Sequence, residues 1–408
     1  MRILVICEKL DINLTSAGVG RSKLIYSLSK LNCRVDVLFD QWSESEVDSL
    51  ADVNFFRLNK TPNKWTKLKN YNKIGALYNY IVGSNFDMLE MIQFWTNDIL
   101  KRVTSEKYDF VYVLSSGQQF YTFFAMGEVY KNVKLPFVLN IHDPYPSAIH
   151  PEFKRKIGWI EKKRYDIVKN VIQEAFKVTL PSELLGEYLE DFYPIKGKRV
   201  TLPHIGVELP QLKLKEKQKS KKLTITHTGL LLSSRNPKYF LRALKRMVNE
   251  TPDCSANLKV NIIGPYTIDD PETLELFEEL KQVVNFSQER IEYSESMQLL
   301  QDSDVLFVFD FIGDYSPIML GKLGDYLYFN KPILALTPKK SETSRILGTK
   351  YPLKAEVNNE DEIFKKLKLI YKSWQKDDFE KFDLSEQKKY VSVQNTLETF
   401  QKNIIDDI

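Results

Sequence analysis

Short apolar runs alternate with helix-periodic segments along almost the whole chain, and this alternation restricts the fold more than any other feature. In the first half the runs are Ile3–Cys7, Val35–Phe39, Val53–Leu58, Asp109–Leu114, Phe137–Ile141 and Lys177–Leu180. In the second half they are Leu223–Thr228, Leu258–Ile263, Arg290–Tyr293, Asp304–Phe309 and Pro332–Leu336. Strands spaced by helices pair in parallel, and the crossovers cover both faces of the sheet. Between the two series lies Gln211–Lys222, QLKLKEKQKSKK, nearly all polar and without apolar periodicity, which reads as an exposed hinge. The expected α/β architecture is therefore two doubly wound domains, residues 1–210 and 223–385. A Lys-rich linker, 211–222, joins them, a helical segment, 386–408, ends the chain, and a cleft separates the two sheets.

With 408 residues there is material for two cores. A net charge of +4 is too small to imply nucleic acid or membrane binding by itself. Cys7, Cys33 and Cys254 are odd in number and far apart, which suits a reduced, cytoplasmic protein without a disulfide framework. MRILVICEKL is broken by Glu8 and Lys9 after a short apolar run, so a first strand is expected there and not a signal peptide. The four histidines lack metal-ligand spacing, and no metal or cofactor is expected. Glu152–Asn170 is basic and amphipathic, with Phe153, Ile157, Trp159 and Ile160 among its lysines. Such a segment is either the solvated side of a packed helix or a peripheral contact with anionic lipid at the inner membrane face.

Several short stretches could carry chemistry. Leu10–Gly20 reads as a polar loop ending in Gly18-Val19-Gly20-Arg21, where a helix N-terminus could meet an anion or the glycines could simply make a tight turn. His142 follows the run ending at Ile141, at a sheet edge where ligands bind in parallel sheets. Gly229 closes the first strand of the second series, and Arg235 precedes Asn236-Pro237 at a helix start, within reach of a phosphate. In SPIMLGKLGDYLYFNKPILALT, residues 316–337, Leu320, Leu323 and Leu327 share one stripe of a helix while Lys322 and Asp325 share the other side. Gly321 and Gly324 interrupt that helix at about 1 kcal/mol each, which is easiest to understand if something approaches its backbone closely.

Taken in order, these stretches resemble the donor half of GT-B glycosyltransferases, specifically glycosyltransferase family 4. The resemblance rests on strand–Gly229–x5–Arg235-Asn236-Pro237, Ile263-Gly264-Pro265, Asp302-Ser303-Asp304-Val305-Leu306, and Gly321-Lys322-Leu323-Gly324-Asp325 through Lys331-Pro332-Ile333-Leu334. The first half agrees through its early glycines, His142, Leu180-Pro181-Ser182-Glu183 and Leu202-Pro203-His204-Ile205-Gly206-Val207-Glu208. The family has two Rossmann-like domains. It transfers a sugar, with retention of configuration, from a nucleotide sugar to a glycan or lipid-linked acceptor. UDP- or GDP-linked donors are implied, in surface polysaccharide or glycoconjugate synthesis.

Carried across, the resemblance gives His142, Arg235 and Lys322 catalytic roles. It places Gly18, Gly20, Gly229, Arg235, Gly264, Lys322, Leu323 and Asp325 around the donor, with Asp325 on the ribose hydroxyls and no metal. Two positions depart from the pattern. Pro317 stands where the family's first glutamate would be, leaving Asp310 or Asp314 as substitutes, and Leu230 replaces an arginine. A non-catalytic binding protein on the same fold, or a nucleotide-sugar epimerase, is the competing reading. Asp302-Ser303-Asp304 precedes its strand and so cannot serve as a metal-binding motif at a strand's carboxyl end. Nucleic acid is not expected, since the lysine runs have no interleaved aromatics.

Overall fold

A computed structural model describes residues 1–10, 16–41, 53–68, 72–114, 120–209, 212–217 and 220–408. The chain divides into two compact units, residues 1–202 with 396–408, and residues 203–395.

Among the described residues the first unit holds seven strands: β1 (Arg2–Lys9), β2 (Arg34–Gln41), β3 (Val53–Arg57), β4 (Phe110–Leu114), β5 (Phe137–Asn140), β6 (Lys177–Leu180) and β7 (Arg199–Thr201). They pair in parallel in the order β3-β2-β1-β4-β5-β6-β7, a doubly wound sheet. Ile3–Cys7 of β1 is wholly buried, as a central strand covered on both faces must be. The polar groups inside this sheet meet one another: Tyr112 Oη and Asn140 Nδ2 each lie 2.9 Å from Thr179 Oγ1. Its helices are α1 (Ser16–Leu28), α2 (Lys64–Leu68), α3 (Asn72–Val82), α4 (Phe86–Ser105), α5 (Tyr121–Asn132), α6 (Trp159–Glu174) and α7 (Glu183–Glu190). Gly83, whose φ is +85°, ends α3 just ahead of α4. The basic segment expected to be helical from Glu152 begins as a short 3₁₀ turn and becomes α-helix only at Trp159.

The second unit repeats the design with β8 (Leu223–Thr228), β9 (Leu258–Ile263), β10 (Val284–Ser287), β11 (Val305–Phe309), β12 (Ile333–Leu336) and β13 (Lys354–Ala355), ordered β10-β9-β8-β11-β12-β13. All its pairs are parallel. Its helices include α8 (Lys238–Glu250), α9 (Pro271–Glu279), α10 (Tyr293–Asp302), α11 (Gly321–Tyr328), α12 (Glu342–Leu347) and α13 (Glu360–Gln375). The edge strand is not Arg290–Tyr293, as expected, but Val284–Ser287; Tyr293 instead opens α10. Val284 and Phe286 suit a strand because they alternate with Asn285 and Ser287, whose polarity suits an edge.

Two boundaries differ from expectation. The Lys-rich segment belongs to the second unit, because Leu212 and Leu214 pack on its core, Lys217 pairs with Asp304 at 2.9 Å, and Lys215 N donates to Gln298 Oε1. The chain's end returns to the first unit, where the ring of Phe400, fully buried, lies 5.4 Å from that of Tyr112.

Candidate functional site

In the second unit the carboxyl ends of β8 and β9 are finished by glycines that no other residue could replace cheaply. Gly229 has φ +122° and Gly264 has φ +137°, and a Cβ on Gly264 would sit 2.6 Å from the Gly229 carbonyl oxygen. A Cβ on Gly229 would sit 2.8 Å from Lys322 Nζ, so the missing side chain is what lets the ammonium reach the strand's end.

Lys322 is brought there by α11. That helix is fastened to β8 by the Thr228 N–H, which donates to Tyr326 Oη at 3.1 Å, and its apolar stripe, Leu320, Leu323 and Leu327, is buried. The opposite side is not a solvated face: Asp325 is only 5% exposed. Tyr293 Oη donates to Asp325 Oδ1 at 3.0 Å. Gly324 is approached by the chain itself and not by a guest, since a Cβ there would meet the His204 carbonyl oxygen at 2.4 Å. Gly321 is the helix's first residue, with open space around it, so its conformational cost is small.

His227, fully buried on β8, faces Lys322. Its Nε2 lies 3.1 Å from Lys322 Nζ and its Nδ1 2.9 Å from the Phe307 carbonyl oxygen. Burial, and then the neighbouring Lys322 charge, hold the imidazole well below its usual pKa, so it is neutral at physiological pH. Burial, and then Arg235, lower Lys322 to about 7. Arg235 ends the 3₁₀ turn Ser233–Arg235. That loop is held on two sides: Leu231–Leu232 pairs with Tyr266–Thr267, and the Ser234 carbonyl accepts from Ile312 N at 2.9 Å. Asn236 then leads into α8, its Oδ1 accepting from Lys238 N and Thr273 Oγ1.

The third charged group beside Arg235 is Asp310, at the end of β11. Burial raises it to about 6 against the opposing pull of its hydrogen bonds and of Arg235. Phe311 N, Ser316 Oγ and Thr337 Oγ1 all donate to its carboxyl group, at 2.9, 2.7 and 2.9 Å. Asp310 is thereby spent on bracing the turn that leads into α11. Asp314 is exposed on the same loop.

Gly229, Gly264, Arg235 and Lys322 therefore gather at one sheet edge, with Asp325 one helical turn beyond Lys322. Leu323 turns its side chain into the core, leaving only its backbone toward the helix N-terminus. His142 lies in the first unit, partly exposed just beyond β5. Gly18 and Gly20 are not in a loop: α1 has already begun at Ser16, and residues 11–15 of the expected loop lie outside the described residues. Sequence reading missed His227 and Tyr293, each the residue that holds a predicted one in place. The signal for His227 was available, a histidine two residues before a strand-ending glycine. Among the described residues no cluster of histidine, cysteine and acidic side chains could hold a metal ion. No described helix is long and apolar enough to cross a membrane.

No family model matches the chain and no curated protein sequence matches it. Solved structures do. Anabaena HepE in complex with UDP and glucose is similar over 100% of both chains, with a TM-score of 0.66 and 11% identity. Sucrose-phosphate synthase from Thermosynechococcus elongatus matches with 0.65 and 11%, covering 99% of this chain and 98% of its own. A glycosyltransferase from Rickettsia africae matches with 0.64 and 14%, again over 99% and 98%. At such identities the likeness is one of architecture, and the chain has the GT-B fold, an α/β arrangement of two Rossmann-like units.

Proposed function

We propose that this protein is a retaining glycosyltransferase that takes a sugar from a nucleotide sugar, UDP- or GDP-linked, and passes it to a glycan or lipid-linked acceptor. The setting is surface polysaccharide or glycoconjugate synthesis on the cytoplasmic side of a membrane. The observation that carries this reading is the meeting of Lys322, Arg235 and two positive-φ glycines at the carboxyl edge of the second sheet. Neighbours on the same fold were solved with UDP and with UDP-glucose. In this reading the donor diphosphate lies against Gly229 and the first turn of α11. Arg235 and Lys322 offset the charge that grows on it as the sugar leaves, without metal or cofactor. Asp325, oriented by Tyr293, accepts from the ribose hydroxyls.

The test is calorimetric titration with UDP, GDP, ADP and CMP, followed by an assay for release of free nucleotide from the matching sugar donor. Binding of at least one diphosphate below millimolar is expected. Failure of all four sinks the donor site. A second reading draws on Pro317, which offers no carboxylate eight residues before Asp325, while Asp310 is already engaged. On that reading the fold binds a nucleotide and transfers nothing, and tight binding without turnover would favour it.

A further inference from the structure

Helix α3 in the first unit presents its apolar residues in the wrong direction for a soluble surface. Ile74, Leu77, Tyr80 and Ile81 recur at helical spacing and are 56–62% exposed, and the helix contains no acidic residue. Its inner side is already satisfied, with Tyr78 against Trp65 and Phe86 and Gly75 packed on the Phe86 ring. A helix apolar on both sides is one that buries both.

The patch continues onto α6. Trp159, 62% exposed, donates its indole N–H to the Tyr80 carbonyl at 3.2 Å, Lys163 reaches the Ile81 carbonyl, and Arg164 the Gly83 carbonyl. These three donors from α6 cap the end of α3, and Gly83 permits the close approach, since a Cβ there would meet Lys163 Cβ at 2.8 Å. Phe153 is exposed in the turn before α6. Around this apolar ground stand Lys73, Lys154 and Lys156, exposed and making no ion pair among the described residues. Of the nearby acids, Glu161 and Asp166 are neutralised by Arg155 and Lys162, while Glu152 lies half-buried beside Phe153.

We propose that the outer face of α3, with the turn at Phe153–Trp159, docks on an anionic lipid bilayer. The charge decides between occupants. A second copy of the chain laid on this face about a two-fold axis would oppose one basic rim to another. Anionic headgroups complement that rim, while Trp159 and Tyr80 sit at the headgroup level and Ile74, Leu77 and Ile81 enter the acyl boundary. Apolar insertion and basic attraction together supply the two signals that stable peripheral binding takes.

The experiment is sedimentation of the full chain, without nucleotide, with phosphatidylcholine vesicles and with vesicles containing about one-third phosphatidylglycerol, an order-of-magnitude choice for a strongly anionic surface. Failure of the transferase assay would not touch the result, nor the reverse. The protein should pellet with the anionic vesicles alone, and less as salt rises. Brominated lipid should quench tryptophan fluorescence in the wild type but much less in Trp159→Phe. Ile74→Asp with Leu77→Asp should weaken vesicle binding at least tenfold with circular dichroism unchanged, and Lys154→Glu with Lys156→Glu should remove the preference for anionic lipid. Vesicle binding unchanged in the apolar double variant overturns the proposal. So does absence of binding to either vesicle, and so does a wild-type dimer that Leu77→Asp turns into a monomer, which would make the face a contact between copies.

Discussion

His227 Nε2 lies 3.1 Å from Lys322 Nζ while His227 Nδ1 lies 2.9 Å from the Phe307 carbonyl oxygen. A carbonyl oxygen only accepts, so Nδ1 must carry the proton, and in a neutral ring the Nε2 lone pair is left to accept from Lys322. The backbone of β11 thus fixes a tautomer, the tautomer aims an amine, and the amine waits beside Gly229. That chain of causes links an ordinary buried strand to a group titrating near neutrality.

The first prediction concerns that titration. Lys322 is lowered to about 7, so near pH 8 the unliganded protein carries it mostly neutral. A diphosphate beside it favours the charged form, so binding must take up a proton there. Affinity for nucleoside diphosphate should therefore fall as pH rises from 7 to about 9, toward the ordinary lysine value. Calorimetry in two buffers of different ionisation heat should show proton uptake near pH 8. Lys322→Met should abolish the uptake and weaken binding about tenfold or more, in keeping with loss of a charge-assisted hydrogen bond. Stability carries the matching sign. Between about 7 and the unfolded lysine value the unfolded chain holds more protons, so this residue's share of stability rises with pH across that window and Lys322→Met flattens it.

Arg235 and Asp325 are separable by the ligand. Arg235→Ala should weaken a nucleoside diphosphate far more than the nucleoside, because its partner is the phosphate. Asp325→Asn should weaken a ribonucleotide about tenfold relative to its 2′,3′-dideoxy analogue, with Tyr293→Phe giving a smaller loss of the same kind. Equal losses across each pair of ligands would remove the residue from its assigned role.

The two strand-ending glycines should fail differently. At Gly264 an added Cβ meets backbone, the Gly229 carbonyl, and both residues have positive φ; Gly264→Ala should cost stability, about 2 kcal/mol or more in urea unfolding. At Gly229 the Cβ meets the mobile end of Lys322. Gly229→Ala should displace that ammonium and reduce diphosphate affinity more than Gly264→Ala does at equal folded fraction.

The sheets were legible because a strand buried on both faces must be apolar along its length, as Ile3–Cys7 and Val305–Phe309 are. Where polar residues enter a strand the pattern fails, and Val284–Ser287 was misplaced for that reason. The Lys-rich stretch misled through its charge: its alternation, Leu212 and Leu214 inward and Lys213 and Lys215 outward, is that of a chain laid on a core. The return of Phe400 to the first sheet rests on contacts nearly three hundred positions apart, and nothing local announces it. At the site, Gly229, Arg235 and Lys322 could be read because their spacing is local to strand ends and helix starts. The neighbours that orient them, His227 and Tyr293, come from separate elements and needed coordinates.

Asp310 supplies the sharpest division between structure and chemistry. It is wholly buried, raised to about 6 by desolvation, and receives three donors on its two oxygens. Because its folded value lies above the unfolded one, its contribution to stability is fully present below about 4 and is lost as pH rises through about 6. Asp310→Asn removes the buried charge, yet its NH₂ must face either the Phe311 N–H and Ser316 on the Oδ1 side, setting donor against donor, or Thr337 on the Oδ2 side, whose hydroxyl must then turn to accept. The expected result is a loss of about 1–3 kcal/mol in urea unfolding, the range for an unsatisfied buried polar group. The decline in stability across that pH range should vanish as well. If Asp310 instead stood in for the carboxylate absent at Pro317, the same substitution would leave the unfolding midpoint in place and abolish turnover. Measured together on one variant, the midpoint and the rate of nucleotide release decide whether Asp310 braces the turn into α11 or touches the sugar.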